Sequence, residues 1–127
     1  MSGEENKRFI TEYLAAINGK PKPRELLDRF TLDEELKKHI EASEAAFPCY
    51  RVDPEEMIAE GDLVSVRGTV RGEHRGPFMG LPATGKRVGF GIFVTYRVSG
   101  RKIVEHWMLT DNLSMMQQLG LAPAPTG

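Results

Sequence analysis

Lys86-Arg-Val-Gly-Phe-Gly-Ile-Phe-Val-Thr-Tyr-Arg-Val98 alternates, and after Ser99-Gly100 the chain returns as Arg101-Lys-Ile-Val-Glu-His-Trp-Met-Leu-Thr-Asp111. Successive strand residues point to opposite faces, so Val88, Phe90, Ile92, Val94, Tyr96 and Val98 share one side of a sheet. Ser-Gly is a usual hairpin connector. The return strand, about Lys102 to Thr110, puts Val104, His106, Met108 and Thr110 on one face. Ile103, Glu105, Trp107 and Leu109 take the other. A long hairpin with one apolar face needs a cover, and the rest of the chain supplies it.

Working back toward the N-terminus, Leu63 to Glu73 reads as a strand with Val64, Val66 and Val70 on its apolar face. Gly61-Asp62 is a turn before it, and Tyr50 to Glu60 is a further strand. Pro54 cannot donate to a ladder, so that strand belongs at an edge or carries a bulge. His74 to Gly85 holds Gly76, Pro77, Gly80 and Pro82, which makes an irregular loop. Upstream of the strands the period changes. Ile10, Tyr13, Leu14 and Ile17 recur at helical spacing from about Glu4 to Asn18. Arg24 to Phe30 makes a short helix. Thr31-Leu-Asp-Glu34 has the capping-box pattern, and the helix after it carries Leu36, Ile40, Ser43 and Phe47 on one stripe until Pro48. After the hairpin, Asn112 to Leu119 forms a short helix stopped at Gly120. Helices first and antiparallel strands later imply an α+β fold: a curved antiparallel sheet covered on one face by N-terminal helices. Residues 1–121 form a single domain and 122–127 a flexible tail.

The 127 residues carry a net charge of −1, so no global field attracts nucleic acid or an anionic membrane. One cysteine, Cys49, allows no intrachain disulfide. No apolar run reaches the ~20 residues of a membrane span, and the N-terminus lacks the apolar core of a signal peptide. The expectation is a cytoplasmic protein.

Two glycine motifs are weak. Gly80 to Lys86 has phosphate-loop spacing, but Arg87 stands where Ser or Thr would hold magnesium, and a strand follows where a helix is needed. Gly89 and Gly91 lack the third glycine of a dinucleotide fingerprint and suit a bend or bulge in a curved strand better. His39, His74 and His106 form no zinc-like cluster, so neither a metal nor a cofactor is expected. His39 falls on a charged helix face, and His74 at the mouth of a loop, where it would be solvated. His106 lies beside Val104 and Met108 on the inner face. It is either held by a single hydrogen bond or lines a pocket as a proton donor or acceptor.

Phe47-Pro to Val52, Glu56 to Asp62, Val70 to Gly76, Phe78 to Val88, Lys102 to Trp107 and Asp111 to Gly120 together resemble the SnoaL-like polyketide cyclases. The resemblance covers most of the chain from Phe9 onward. It implies the nuclear-transport-factor-2-like cone of helices over a bent sheet, often dimeric or tetrameric through that sheet. It also implies ring closure by aldol condensation without metal or cofactor. The family's acid/base aspartate aligns with Met108 and its histidine partner with Val94, and neither residue here can move a proton.

Three readings stay open. One is a non-catalytic binder of a small, mostly apolar molecule, with a pocket lined by Tyr13, Ile17, Phe90, Ile92, Val94 and Met108. Another is an acid–base enzyme, a cyclase, isomerase or dehydratase, using His106 and possibly Asp111. The last is an oligomeric interaction module. Asp111 also suits a helix N-cap. Phe93, Trp107 and Leu109 on the outer face lead to the expectation of a homodimer through the sheet.

Overall fold

The computed structural model describes residues 2–123 (of the expected tail, residues 124–127 lie outside the described residues). The order is α1 (Gly3–Ile17), α2 (Arg24–Phe30), α3 (Glu34–Ala46), β1 (Arg51–Glu60), β2 (Leu63–Glu73), β3 (Arg87–Ser99), β4 (Lys102–Thr110) and α4 (Asn112–Leu119). The four strands form one curved, open antiparallel sheet in the order β1-β2-β3-β4. Among the described residues no helix is long and apolar enough to cross a membrane.

Helices cover one face, and it is the face that the alternation selects. Val88, Ile92, Val94, Tyr96 and Val98 are buried, while Phe93 on the opposite face is 61% exposed. Ser2 caps α1 through a complete capping box with Glu5. Phe9, Ile10, Tyr13, Leu14 and Ile17 then form its buried stripe, each worth roughly 1.5–3 kcal/mol of burial. That stripe packs across β1 and β2, α4 packs on β3, and α2 meets β4. α4 has a second role. β3 outruns β4 beyond the Ile92–Thr110 pair, and the Gln118 side chain fills the gap by bonding both N–H and C=O of Gly89 at 2.9 and 2.8 Å. Asp111 N–H bonds Gly91 C=O at 2.9 Å, so the free edge is covered.

Four local expectations need correction. Ile103 is fully buried rather than outward. A bulge between β3 and β4 pairs Val98 with Ile103 but Arg97 with Glu105, and the extra residue, Val104, reverses parity beyond it. Of the bend or bulge expected at Gly89 and Gly91, the bulge is excluded, since the β2–β3 register runs unbroken past them. The α3 cap is Asp33, whose Oδ1 accepts from Leu36 N–H at 3.1 Å. Thr31 instead accepts from Asp33 N–H and donates to Ile103 C=O. His74 is fully buried instead of solvated. Its Nδ1 accepts from the Thr84 N–H at 3.2 Å and lies 2.9 Å from the Thr84 hydroxyl, which ties the two ends of the 74–86 loop together. Pro54 sits on an edge strand and at a register shift, so both of its allowed settings occur together.

Candidate ligand-binding site

Between the helices and the sheet lies a cavity of about 400 Å³, a size that suits a small organic ligand. α1 contributes Tyr13, Leu14 and Ile17; α3 contributes Leu36, His39, Ile40 and Ser43. The sheet adds Val70, Phe90, Ile92, Tyr96, Met108 and Thr110. The 74–86 loop adds Pro77, Phe78 and Met79, and α4 adds Asn112 and Met115. The wall is mostly apolar, with polar groups confined to a few positions.

All three tyrosines of the chain, Tyr13, Tyr50 and Tyr96, line this one cavity. Burial holds each phenol above its ordinary pKa; the carboxylate of Glu44 adds to the effect at Tyr50. The phenols therefore remain protonated donors at neutral pH. The Tyr13 and Tyr96 rings meet edge-on with centroids 5.8 Å apart. Tyr50 is held from behind by Lys22. That ammonium lies 4.2 Å from the Tyr50 ring centroid, bonds Tyr50 C=O at 2.9 Å and pairs with Glu44 at 2.6 Å. A buried charge is tolerated there because acceptors surround it.

Of the residues named from the sequence, Tyr13, Ile17, Phe90, Ile92 and Met108 line the cavity. Val94 is 2% exposed and directly opposite Met108 in the β3–β4 register, outside the lining. His106 shares the inner face, paired with Tyr96, but is not among the lining residues. Its Nδ1 lies 2.6 Å from Asp33 Oδ2, so the cap of α3 also orients the imidazole. Asp33, not Asp111, is the carboxylate beside His106. Asp111 caps α4 by accepting from Ser114 N–H at 3.0 Å. The histidine that reaches the cavity is His39, whose Nε2 lies 3.5 Å from Ser43 Oγ. His39 is exposed at the margin of the cavity, and partial desolvation there, with His106 adding to it, lowers its pKa below the ordinary 6.5. His39, Tyr50 and Tyr96 line the cavity without being marked as site residues by the sequence. The available signal was that Tyr96 sits on the inner parity and His39 is one turn from both Leu36 and Ser43.

The family model for SnoaL-like polyketide cyclases matches residues 22–119. Among curated proteins no match is found. AclR, a candidate hydroxylase from Streptomyces galilaeus, superposes with a TM-score of 0.85 at 28% identity, over 98% of this chain and 87% of its own. IdmH, a candidate polyketide cyclase from Streptomyces antibioticus, gives 0.76 at 27% identity, over 91% of this chain and 99% of its own. A SnoaL-like polyketide cyclase from Agrobacterium tumefaciens shares the fold, with a TM-score of 0.73 at 22% identity over 91% and 98% of the two chains.

Proposed function

The chain belongs to the SnoaL-like polyketide cyclase family, and from that premise we propose that its cavity binds a small, mostly apolar molecule through oxygen atoms. The observation that carries this reading is the convergence of Tyr13, Tyr50 and Tyr96 on one apolar cavity. A carbonyl or phenolate oxygen inside it would accept hydrogen bonds from phenols that stay protonated. The family's acid/base pair is replaced by Met108 and Val94, so ligand binding outlasts the aldol chemistry. Two relatives at nearly equal identity carry different assignments, hydroxylase and cyclase, so the reaction has to be argued from the site and not from the fold.

Calorimetric titration with two- and three-ring ketones, beginning with 2-tetralone, tests the reading. Saturable one-to-one binding is expected. Tyr13→Phe removes one hydroxyl without emptying the cavity and should weaken binding roughly 2–12-fold, the worth of one hydrogen bond. Met115→Trp should abolish binding by filling the space. If Met115→Trp binds as tightly as the parent, the ligand sits elsewhere.

We further propose a homodimer through the outer face of the sheet, with no nucleic acid or membrane partner. Ile58, Phe93, Trp107 and Leu109 are exposed at 61, 61, 49 and 75%, and Arg97 lies over the Trp107 ring at 5.7 Å. Light scattering at micromolar concentration should give twice the chain mass, and Trp107→Glu should give the monomer. A parent protein that is monomeric at that concentration would remove the proposal.

A further inference from the structure

We propose that His39 is the acid–base group of the cavity and exchanges a proton with the carbon next to a bound ligand's carbonyl. The inference rests on the cavity being a ligand site. Among the described lining residues, only His39 and the three tyrosines titrate. The phenols are held in their protonated form far above neutrality, so they can donate a hydrogen bond but cannot act as a base there. His39 can. Leu36 and Ser43, one turn before and after it, both line the cavity, which sets the imidazole on the same side of α3. Its lowered pKa leaves the ring neutral at pH 7, with a lone pair free to take a proton.

The groups around it keep this behaviour simple. Desolvation is the larger cause of the lowered His39 pKa, and His106 on β4, bound to Asp33, adds to it. The loop presents Pro77, Phe78 and Met79, and α4 presents Asn112 and Met115. α1 and the sheet present Tyr13 and Tyr96, and Tyr50 is hydrogen-bonded to Ser43.

The step balances without a co-reactant. The imidazole nitrogen takes the proton, and the broken C–H bond's electron pair becomes the new carbon–carbon double bond. The carbonyl π pair moves to oxygen, where a phenol donates a hydrogen bond. The imidazolium N–H swaps with solvent, and the ring then delivers a solvent-derived proton to the same carbon, giving exchange, or to a conjugated carbon, giving isomerisation.

The test is deuterium exchange at C1 of 2-tetralone in D₂O, followed by NMR, with binding measured separately by calorimetry. Exchange should exceed the buffer rate and rise with pH through a value below 6.5. His39→Gln keeps a good helix former and should lose at least tenfold in exchange while changing affinity less than twofold. Added imidazole should restore part of the loss in His39→Ala. Undiminished exchange in His39→Gln with 2-tetralone bound overturns the role of His39 but leaves the cavity reading standing. A parent protein that does not bind 2-tetralone overturns both.

Discussion

Gly76→Ala should melt roughly 10 °C below the parent protein. A β-carbon at Gly76 would overlap the carbonyl oxygen of Ala45 and press on the Ala46 backbone. Backbone at the end of a helix cannot rotate away as a side chain can. The same close approach lets the Arg75 and Gly76 N–H groups both donate to Ala46 C=O at 3.1 Å. An alanine therefore either strains the contact or lifts the loop off α3 and loses both bonds. Overpacking costs ~1–3 kcal/mol and each lost bond ~1 kcal/mol. About 3 kcal/mol is expected, which for a chain of this size is that shift in Tm. Pro77, Phe78 and Met79 form the cavity wall directly after the joint, so ligand affinity should fall as well. Gly91→Ala is the control, since its added carbon meets nothing within 4 Å. It should cost well under 1 kcal/mol. Equal melting temperatures for Gly76→Ala and the parent would mean that the loop is not docked as described.

That joint was invisible in the sequence, whereas the hairpin was plain. Alternation over Val88 to Val98 has only two solutions, and one of them leaves six large apolar groups in water. The buried positions follow at once. One inserted residue defeats the same logic, as Ile103 shows. Nothing in Lys102-Ile-Val-Glu marks which residue will bulge; the shift is seen only in the register, where Arg97 pairs with Glu105 and Val98 with Ile103. Parity also placed His106 on the inner face correctly. Its partner is Asp33, 73 residues earlier, brought to the ring by the Thr31–Ile103 bridge that ties the start of α3 to β4. In the sequence His39 falls on a charged helix face, with Lys38 and Glu41 nearby. A cavity, however, opens at the margin of an apolar stripe, where the core-facing and charged sides of a helix meet. The polar groups of a site concentrate at such margins.

The parent protein should show no aldol cyclisation of a polyketide ester above the buffer rate. Aldol closure needs a base at one carbon and a donor to the alkoxide forming at another, each worth ~10²–10⁴-fold. The resemblance assigns that work to the positions of Met108 and Val94, and the geometry suits it. The two are directly opposite in the β3–β4 register, so their β-carbons lie ~5 Å apart. Met108 lines the cavity and Val94 is buried outside the lining: a carboxylate at 108 would meet the ligand, with a histidine at 94 as its support. As the chain stands, both positions are apolar. His39 can move a proton from α3, but from the sheet side no second group answers it at the position of Met108. Turnover of ~1 s⁻¹ or more, an ordinary enzymatic rate, would show that the pair has been sought at the wrong positions. The double variant Val94→His with Met108→Asp gives the converse test. If the positions are right, cyclisation should rise at least tenfold over the parent, with either single change doing less, because the carboxylate needs its imidazole to cycle the proton. Val94 has little spare room, so a melting curve must accompany the assay. A double variant that folds, binds 2-tetralone and still fails to cyclise would place the family's chemistry elsewhere in the cavity.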